Sequence, residues 1–396
     1  GDVNAAAINS DEPNARGQFQ ASGPDLPLLM QIGGWFYGGE SSSVFVYGSQ
    51  LGGLQNKSFS LNTSFSADLR SGAIDISTLN ANAIGLEVGG NFNAANINSN
   101  SGNVSGVLSL SGSNLQRLLA VLEYPDIAEV ARSISASLQF SGTSNNLSVN
   151  PAHVELVLAG NRIPNSPATI ALNAASRIDV PRESLEVEQF TLSGLNLNTQ
   201  GTVSVDELFS TPSVSGNVAV ANFNLRRLLQ QLNQPLPETS DDTVLQTVGL
   251  TTDFRVTPDS FSLENFGLQL DDTHTTGNLS LTTGAVQEWI VDVDVSAINV
   301  DRYLAEPQPA ATQNTDDASY PIPVESLRNL TVRGRLNIGQ LQVAGVALSE
   351  VSATLEAQDG RINLSPLSSN LYQGSFNGAM ALDVAGALPT ATANIN

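Results

Sequence analysis

Residues 330–355 read Leu330-Thr-Val332-Arg-Gly-Arg-Leu336-Asn-Ile338-Gly-Gln-Leu341-Gln-Val343-Ala-Gly-Val346-Ala-Leu348-Ser-Glu-Val351-Ser-Ala-Thr-Leu355. Apolar side chains occupy nearly every second position, with polar or small residues between them. That period belongs to a β-strand with one dry face and one wet face. The parity of the apolar positions changes at Gly339-Gln340, Ala344-Gly345 and Ser349-Glu350. A one-residue slip would send a whole strand's side chains to the opposite face, so each change predicts a turn or a bulge.

The same texture extends outward in both directions. It recurs at Leu185–Val187, Phe190–Leu192, Leu195–Leu197, Phe261–Leu263, Phe266–Leu270, Leu279–Leu281, Val291–Val295, Ile362–Leu364 and Phe376–Val384. Near the N-terminus it appears at Val44–Tyr47, Phe59–Leu61, Phe65–Leu69 and Ile74–Ile76. Gly, Asn, Ser and Asp punctuate these runs roughly every 8–12 residues, the spacing of a β meander. The expectation is a mainly β chain: a long antiparallel sheet of roughly twenty or more strands, which must curl, split or twist strongly.

Helices are few and share one pattern. Asn114-Leu-Gln-Arg117-Leu-Leu119, Asn224-Leu-Arg-Arg227-Leu-Leu229 and Asn299-Val-Asp-Arg302-Tyr-Leu304 each follow a strand-like run. Asn suits the N-cap, where its side chain accepts from free N–H groups of the first turn. The apolar residues at the first, fourth and fifth positions after it form one stripe. Short helices are therefore predicted at 114–122, 224–232 and 299–304. Arg117, Arg227 and Arg302 fit structural hydrogen bonds near the helix start better than contacts to a phosphate. The organisation that follows is a strand-rich segment 1–122 ending in a capped helix, a second at 123–232, a third at 233–304, a polar linker at 305–322 and a β region at 323–396. The closing Ala391-Thr-Ala-Asn-Ile-Asn396 resembles the approach to a fourth capping Asn, as if another helix followed.

Composition narrows the function. The 396 residues carry 16 Lys+Arg against 38 Asp+Glu, a formal charge of −22. Nucleic acid requires a basic surface and is not an expected partner. Anionic lipid headgroups are equally disfavoured as an electrostatic dock. The chain has no Cys and 2 His, which excludes disulfides and Cys-ligated metal and leaves little for a His-based centre or triad. Asp271-Asp272-Thr-His274 reads as a polar turn, and Asp292 and Asp294 sit on the solvated side of an alternating strand. Gly52-Gly53 and Gly89-Gly90 lack the Gly-Lys-Ser/Thr ending of a phosphate loop. No nucleophile–base pair, metal site or cofactor site is expected, and the chain does not read as an enzyme. No apolar run approaches the ~20 residues that cross a bilayer as a helix.

One order of motifs is more specific. Asp301-Arg-Tyr-Leu304 is followed by an acidic, Pro-rich stretch. Then come Pro323-Val-Glu-Ser-Leu-Arg328, Gly334-Arg-Leu-Asn-Ile-Gly339, Asp359-Gly-Arg361 and Leu371-Tyr-Gln-Gly374. At these residues the chain resembles the AsmA family of TamB-related bacterial envelope proteins. Phe19–Leu29 and Ile84–Gly90 look like an upstream segment of such proteins. The resemblance implies a twisted, taco-like open β-groove in the periplasm of a Gram-negative bacterium. It further implies attachment to the inner membrane through an anchor outside this segment. The implied role is envelope homeostasis: carrying phospholipid between inner and outer membranes and influencing outer-membrane protein assembly.

With that fold, the candidate groove-lining residues are Leu268, Leu270, Val291, Val293, Val332, Leu336, Ile338, Leu341, Val343, Val346, Leu348, Val351 and Leu355. The expected ligand is phospholipid, and outer-membrane assembly factors are the expected protein partners. Three other readings compete. A scaffold for outer-membrane biogenesis would use the same dry face as ordinary core and carry no lipid. A β-solenoid adhesin would need uniform rungs near twenty residues, which the offsets of 110 and 75 residues between the Asn motifs do not supply. An enzyme would need a site.

Overall fold

The computed structural model describes residues 2–6, 14–38, 42–68, 70–97, 102–113, 115–143, 145–160, 163–283, 287–305, 327–328, 330–372, 374–386 and 388–395. The expected cap Asn114 and all but the first residue of the linker 305–322 lie outside them. The chain divides into two units, Gly1–Leu208 with Gln231–Asn233, and Phe209–Gln230 with Gln234–Asn396. The division falls between Leu208 and Phe209, inside the expected second segment.

Among the described residues the first unit holds eleven strands: β1 (Asp2–Ala6), β2 (Asn14–Gly23), β3 (Phe59–Asp68), β4 (Ala73–Ala83), β5 (Leu86–Ala95), β6 (Asn103–Ser113), β7 (Ala131–Thr143), β8 (Asn146–Gly160), β9 (Ile163–Asp179), β10 (Ser184–Gly194) and β11 (Leu197–Asp206). Each pairs antiparallel with the next, as a meander requires. Its apolar face is assembled rung by rung. Phe65, Ile76, Phe92, Gly106, Phe140 and Val149 are successive register partners across six strands. Gly106 is required there. A Cβ at that position would fall 2.6 Å from the ring of Phe140, and the Phe92 and Phe140 rings close over it with centroids 6.1 Å apart.

Two helices early in this unit correct the strand expected at Val44–Tyr47. That run lies inside α2 (Ser43–Leu51), which packs against α1 (Leu26–Gly38). Val44-Phe-Val-Tyr47 has the β-branched and aromatic composition of a strand, but tertiary context overrides it. Ser42 caps α2 by accepting from the Phe45 N–H at 3.2 Å. The backbones approach closely where Gly34 meets Phe45 and Gly48 meets Pro27. Further along, α3 (Leu115–Val121) and the single turn α4 (Pro125–Ala128) lead into β7. Leu115 is buried with Ala131, Leu158 and Ile163, and Leu118 and Leu119 pack on that cluster. The stripe expected of the Asn-capped motif is the surface that makes this core.

Among the described residues the second unit holds ten strands: β12 (Ser213–Phe223), β13 (Val248–Thr257), β14 (Ser260–Leu270), β15 (Thr273–Thr283), β16 (Gln287–Asn299), β17 (Val332–Val343), β18 (Val346–Gln358), β19 (Arg361–Leu371), β20 (Gly374–Asp383) and β21 (Thr390–Ile395). All neighbouring pairs are antiparallel except one. Strands β16 and β17 run parallel. A parallel neighbour must begin again at the end where its partner began, so the chain needs a long crossover. The polar stretch of the sequence lies between Asn299, which ends β16, and Val332, which begins β17. In each unit the described register links neighbouring strands in series and does not join the first strand to the last, so each sheet is open.

Between β12 and β13 lies α5 (Leu225–Gln231), and after β16 comes a 3-10 turn, Val300–Arg302. The third expected helix is therefore a single turn. Asp301, which would continue it, sends its carboxylate instead to the N–H groups of Ala344 at 2.5 Å and Gly345 at 2.9 Å.

Candidate functional site

In the second unit the apolar side chains of consecutive strands fall opposite one another without interruption. Val214, Val256, Phe261, Leu281, Trp289, Val332, Ala357, Ile362, Leu382 and Ala391 are successive register partners across all ten strands. Two residues along the strands a second row runs Gly216, Phe254, Leu263, Leu279, Val291, Gly334, Leu355, Leu364, Met380 and Ala393. At ~4.8 Å between strands, each row is about 43 Å of apolar surface measured across the sheet.

Bulges preserve these rows where the sequence parity breaks. Leu263 pairs with Leu279 and Phe266 with Gly277, so Glu264-Asn265 is absorbed as an extra residue, with Asn265 at φ 50°. Without that bulge Phe266, Leu268 and Leu270 would face the wet side. The alternate residues carry the polar face. Arg335 donates to Asp292 at 3.0 Å, Arg333 to Glu288 at 2.6 Å and Asn337 to Asp294 at 2.8 Å across the parallel pair. Asp292 holds the Arg335 guanidinium above its ordinary pKa, by hydrogen bond first and by charge second.

The second row is not packed away. Its members Phe254, Leu263, Leu279, Val291, Leu355 and Leu364 are half-buried, and Met380 is 44% exposed. The first row is tighter near the parallel pair, where Val332 is 5% and Ala357 3% exposed. A core of ordinary density would bury such residues almost completely.

The thirteen expected lining residues sort into two sets. Leu268, Leu270, Val291, Val293, Val332, Leu336, Ile338, Val351 and Leu355 share this apolar face through their register. Leu341, Val343, Val346 and Leu348 form a second set, in which Leu341 pairs with Leu348 and Val343 with Val346. They are one residue out of step with Ile338 and Val351. The step coincides with Gly339, whose rung is missing between the Ile338 and Gln340 pairs, and with Glu350 at φ 54°, where β18 shifts register against β19. The third parity change, Ala344-Gly345, is a two-residue hairpin turn with φ 52° and 73°, the left-handed pair that a type I′ turn needs.

The Asn-motif residues have structural partners. Asn224 accepts from the Arg227 N–H at 2.8 Å and Asn299 from the Asp301 N–H at 3.1 Å, so both cap. Arg117 donates to Gln55 at 2.6 Å. Arg302 donates to Asp241 at 2.7 Å and lies 3.6 Å from Asp272. Arg227 is exposed. Residues not singled out from sequence complete this rim. Asp271 accepts N–H groups from Leu245, Gln246 and Thr247 at 2.7–3.1 Å and the Tyr303 hydroxyl at 2.9 Å. Burial works to raise the Asp271 carboxyl, yet these donors together hold it below the usual range. The same burial, with Asp271 beside it, pushes Tyr303 up to about 12. Thr243 and then Arg302 hold Asp241 down to about 2. Asp301-Arg302-Tyr303 thus fastens three separate loops, at 344–345, 241–243 and 271.

Beside this clamp lies a depression of about 440 Å³. Leu341 and Leu348 of the out-of-step set line it with Ile298, and so do Gln340 and Gln342. Among the described residues no cluster of His, Asp and Glu has the arrangement of a metal site.

Residues 296–396 match the model of the AsmA family. Over that region, about a quarter of the chain, it is similar to AsmA-family proteins. The match begins at the last residues of β16 and takes in the Asp301-Arg302-Tyr303 clamp and every strand from β17 to β21. No curated protein and no solved structure matches the chain. No helix among the described residues is long and apolar enough to cross a membrane.

Proposed function

We propose that this chain is a non-enzymatic periplasmic component of the bacterial envelope that binds phospholipid acyl chains along its apolar sheet face and conducts them between inner and outer membrane. The observation that carries the reading is the row from Gly216 to Ala393. It is apolar at every one of ten strands, and none of its residues is fully buried by the protein itself. Bringing a ~16-carbon chain out of a bilayer into water costs about 13 kcal/mol, at ~0.8 kcal/mol per methylene. An apolar strip supplies the missing contacts with no chemical step, and adjacent rows let a tail shift without meeting a charged side chain. The AsmA-family region supports the placement in the envelope. An anchor outside these residues would hold the protein at the inner membrane.

The scaffold reading rests on a different observation. At the α3 end of the first unit, Leu115, Ala131, Leu158 and Ile163 fill the apolar face as ordinary core. Outer-membrane assembly factors are the partners that reading implies. Site-specific photocrosslinking separates the two. A photoreactive residue at Leu279, on the apolar row, is expected to capture phospholipid in cells, and one at Ser280, on the opposite face, is not. Equal yields at both positions, or none at either, would overturn the lipid reading.

A further inference from the structure

The depression beside the Asp301-Arg302-Tyr303 clamp differs from the rows that lead to it. The rows are apolar, whereas the depression mixes Ile298, Leu341 and Leu348 with the carboxamides of Gln340, Gln342 and Asn370. It opens at the end of the apolar face. Thr273 lines it and pairs with Leu270, and Ala297 lines it two residues beyond Val295. Among the described residues the carboxamides of Gln340 and Gln342 make no side-chain hydrogen bond, so both are available to a ligand.

The charges at its edge are unbalanced. Among the described residues Arg302 is the one cation lining it, and Asp241 at 2.7 Å and Asp272 at 3.6 Å already match that cation. Glu350 stands behind Asn370, accepting its amide at 2.8 Å. An anion arriving here would meet a neutralised guanidinium and an excess of carboxylates. A cationic amine would meet Asp272, whose side chain is 96% exposed.

Resting on the lipid reading above, we infer that this depression holds the polar end of a bound phospholipid and favours a zwitterionic, amine-terminated headgroup over an anionic one. The tails extend from it along the apolar rows. The carboxamides donate to the phosphodiester and ester oxygens, and Asp272 receives the ammonium group.

The full chain is incubated with equimolar phosphatidylethanolamine and phosphatidylglycerol of identical acyl composition, and bound lipid is counted by native mass spectrometry. Wild type is expected to retain phosphatidylethanolamine about threefold over phosphatidylglycerol, the scale of one solvent-screened charge pair. Asp272→Lys, at a fully solvated position, is expected to reverse the order, and Gln340→Ala with Gln342→Ala to weaken retention of both lipids while leaving their ratio unchanged. Unchanged circular dichroism and melting temperature certify the fold of each variant. Lipid bound in the same ratio by wild type and Asp272→Lys overturns this inference and leaves the lipid reading standing. No lipid of either kind on wild type overturns both.

Discussion

The Tyr303 hydroxyl donates to Asp271 Oδ2 at 2.9 Å, joining a residue just after β16 to the turn between β14 and β15. Asp271 also holds the N–H groups of Leu245, Gln246 and Thr247. One carboxylate therefore fastens two stretches of chain that enter the sheet separately. Tyr303→Phe removes one of these bonds and is expected to cost about 1 kcal/mol. Asp271→Ala removes all four and is expected to cost about 2 kcal/mol, since each bond contributes modestly at a partly solvated site. Urea denaturation of the two variants checks the ordering. Variants as stable as wild type would mean that the clamp contributes nothing.

The same carboxylates set an acid limit. Asp241 titrates at about 2 in the folded chain, and Asp271 is also lowered, from an ordinary value of 3.8. A carboxyl with a depressed folded pKa adds stability that is fully present above its unfolded value and is lost as pH falls through the folded one. The melting temperature is therefore expected to be insensitive to these groups above about pH 5 and to fall between pH 4 and pH 2. Asp241→Asn should flatten part of that fall. A variant with an unchanged acid limb would contradict the assignment.

Caps give a smaller effect. Asn224→Ala leaves the Arg227 N–H without its 2.8 Å acceptor and is expected to cost about 1 kcal/mol, with Asn224→Asp close to wild type. By contrast Arg335→Ala breaks the 3.0 Å pair with Asp292 on an exposed face, where ion pairs contribute little. Its removal is expected to leave the melting temperature nearly unchanged. Thermal melts of the three proteins test both statements together.

Much of this was legible in the residues. Alternation with regular turn signals predicts the meander, and 21 strands form among the described residues. The Asn motif predicts the caps at Asn224 and Asn299. Three features were not legible, each for a physical reason. Val44-Phe-Val-Tyr47 carries strand propensity, but Gly34 and Gly48 let two helices approach closely, a contact that no local window contains. The parallel pairing of β16 with β17 depends on where the chain returns after a crossover, which alternation cannot encode. Alternation alone points to the thirteen lining residues. Leu341, Val343, Val346 and Leu348 sit beyond a step at Gly339 and Glu350, so they form a set apart from Ile338 and Val351. The rim carboxamides Gln340 and Gln342 gave no signal, because on an alternating strand they read as solvated positions.

Burial distinguishes a guest-bearing face from filled core. Leu279 is half-buried on the second row, whereas Ala357 on the first is 3% exposed. Leu279→Lys is expected to keep the β circular dichroism signal and lose lipid. Ala357→Glu is expected to unfold the second unit, because an unpaired charge buried there has no compensation. If Leu279→Lys also unfolds the chain, the row is core and the scaffold reading gains.

The proposed function stands on the row from Gly216 to Ala393 sheltering acyl chains. The most direct measurement is the lipid content of the chain purified without detergent, read by native mass spectrometry and by extraction. The account predicts phospholipid in at least stoichiometric amount, displaced in proportion by an added fluorescent fatty-acyl probe. A folded protein free of lipid, which takes up no such probe, would contradict it.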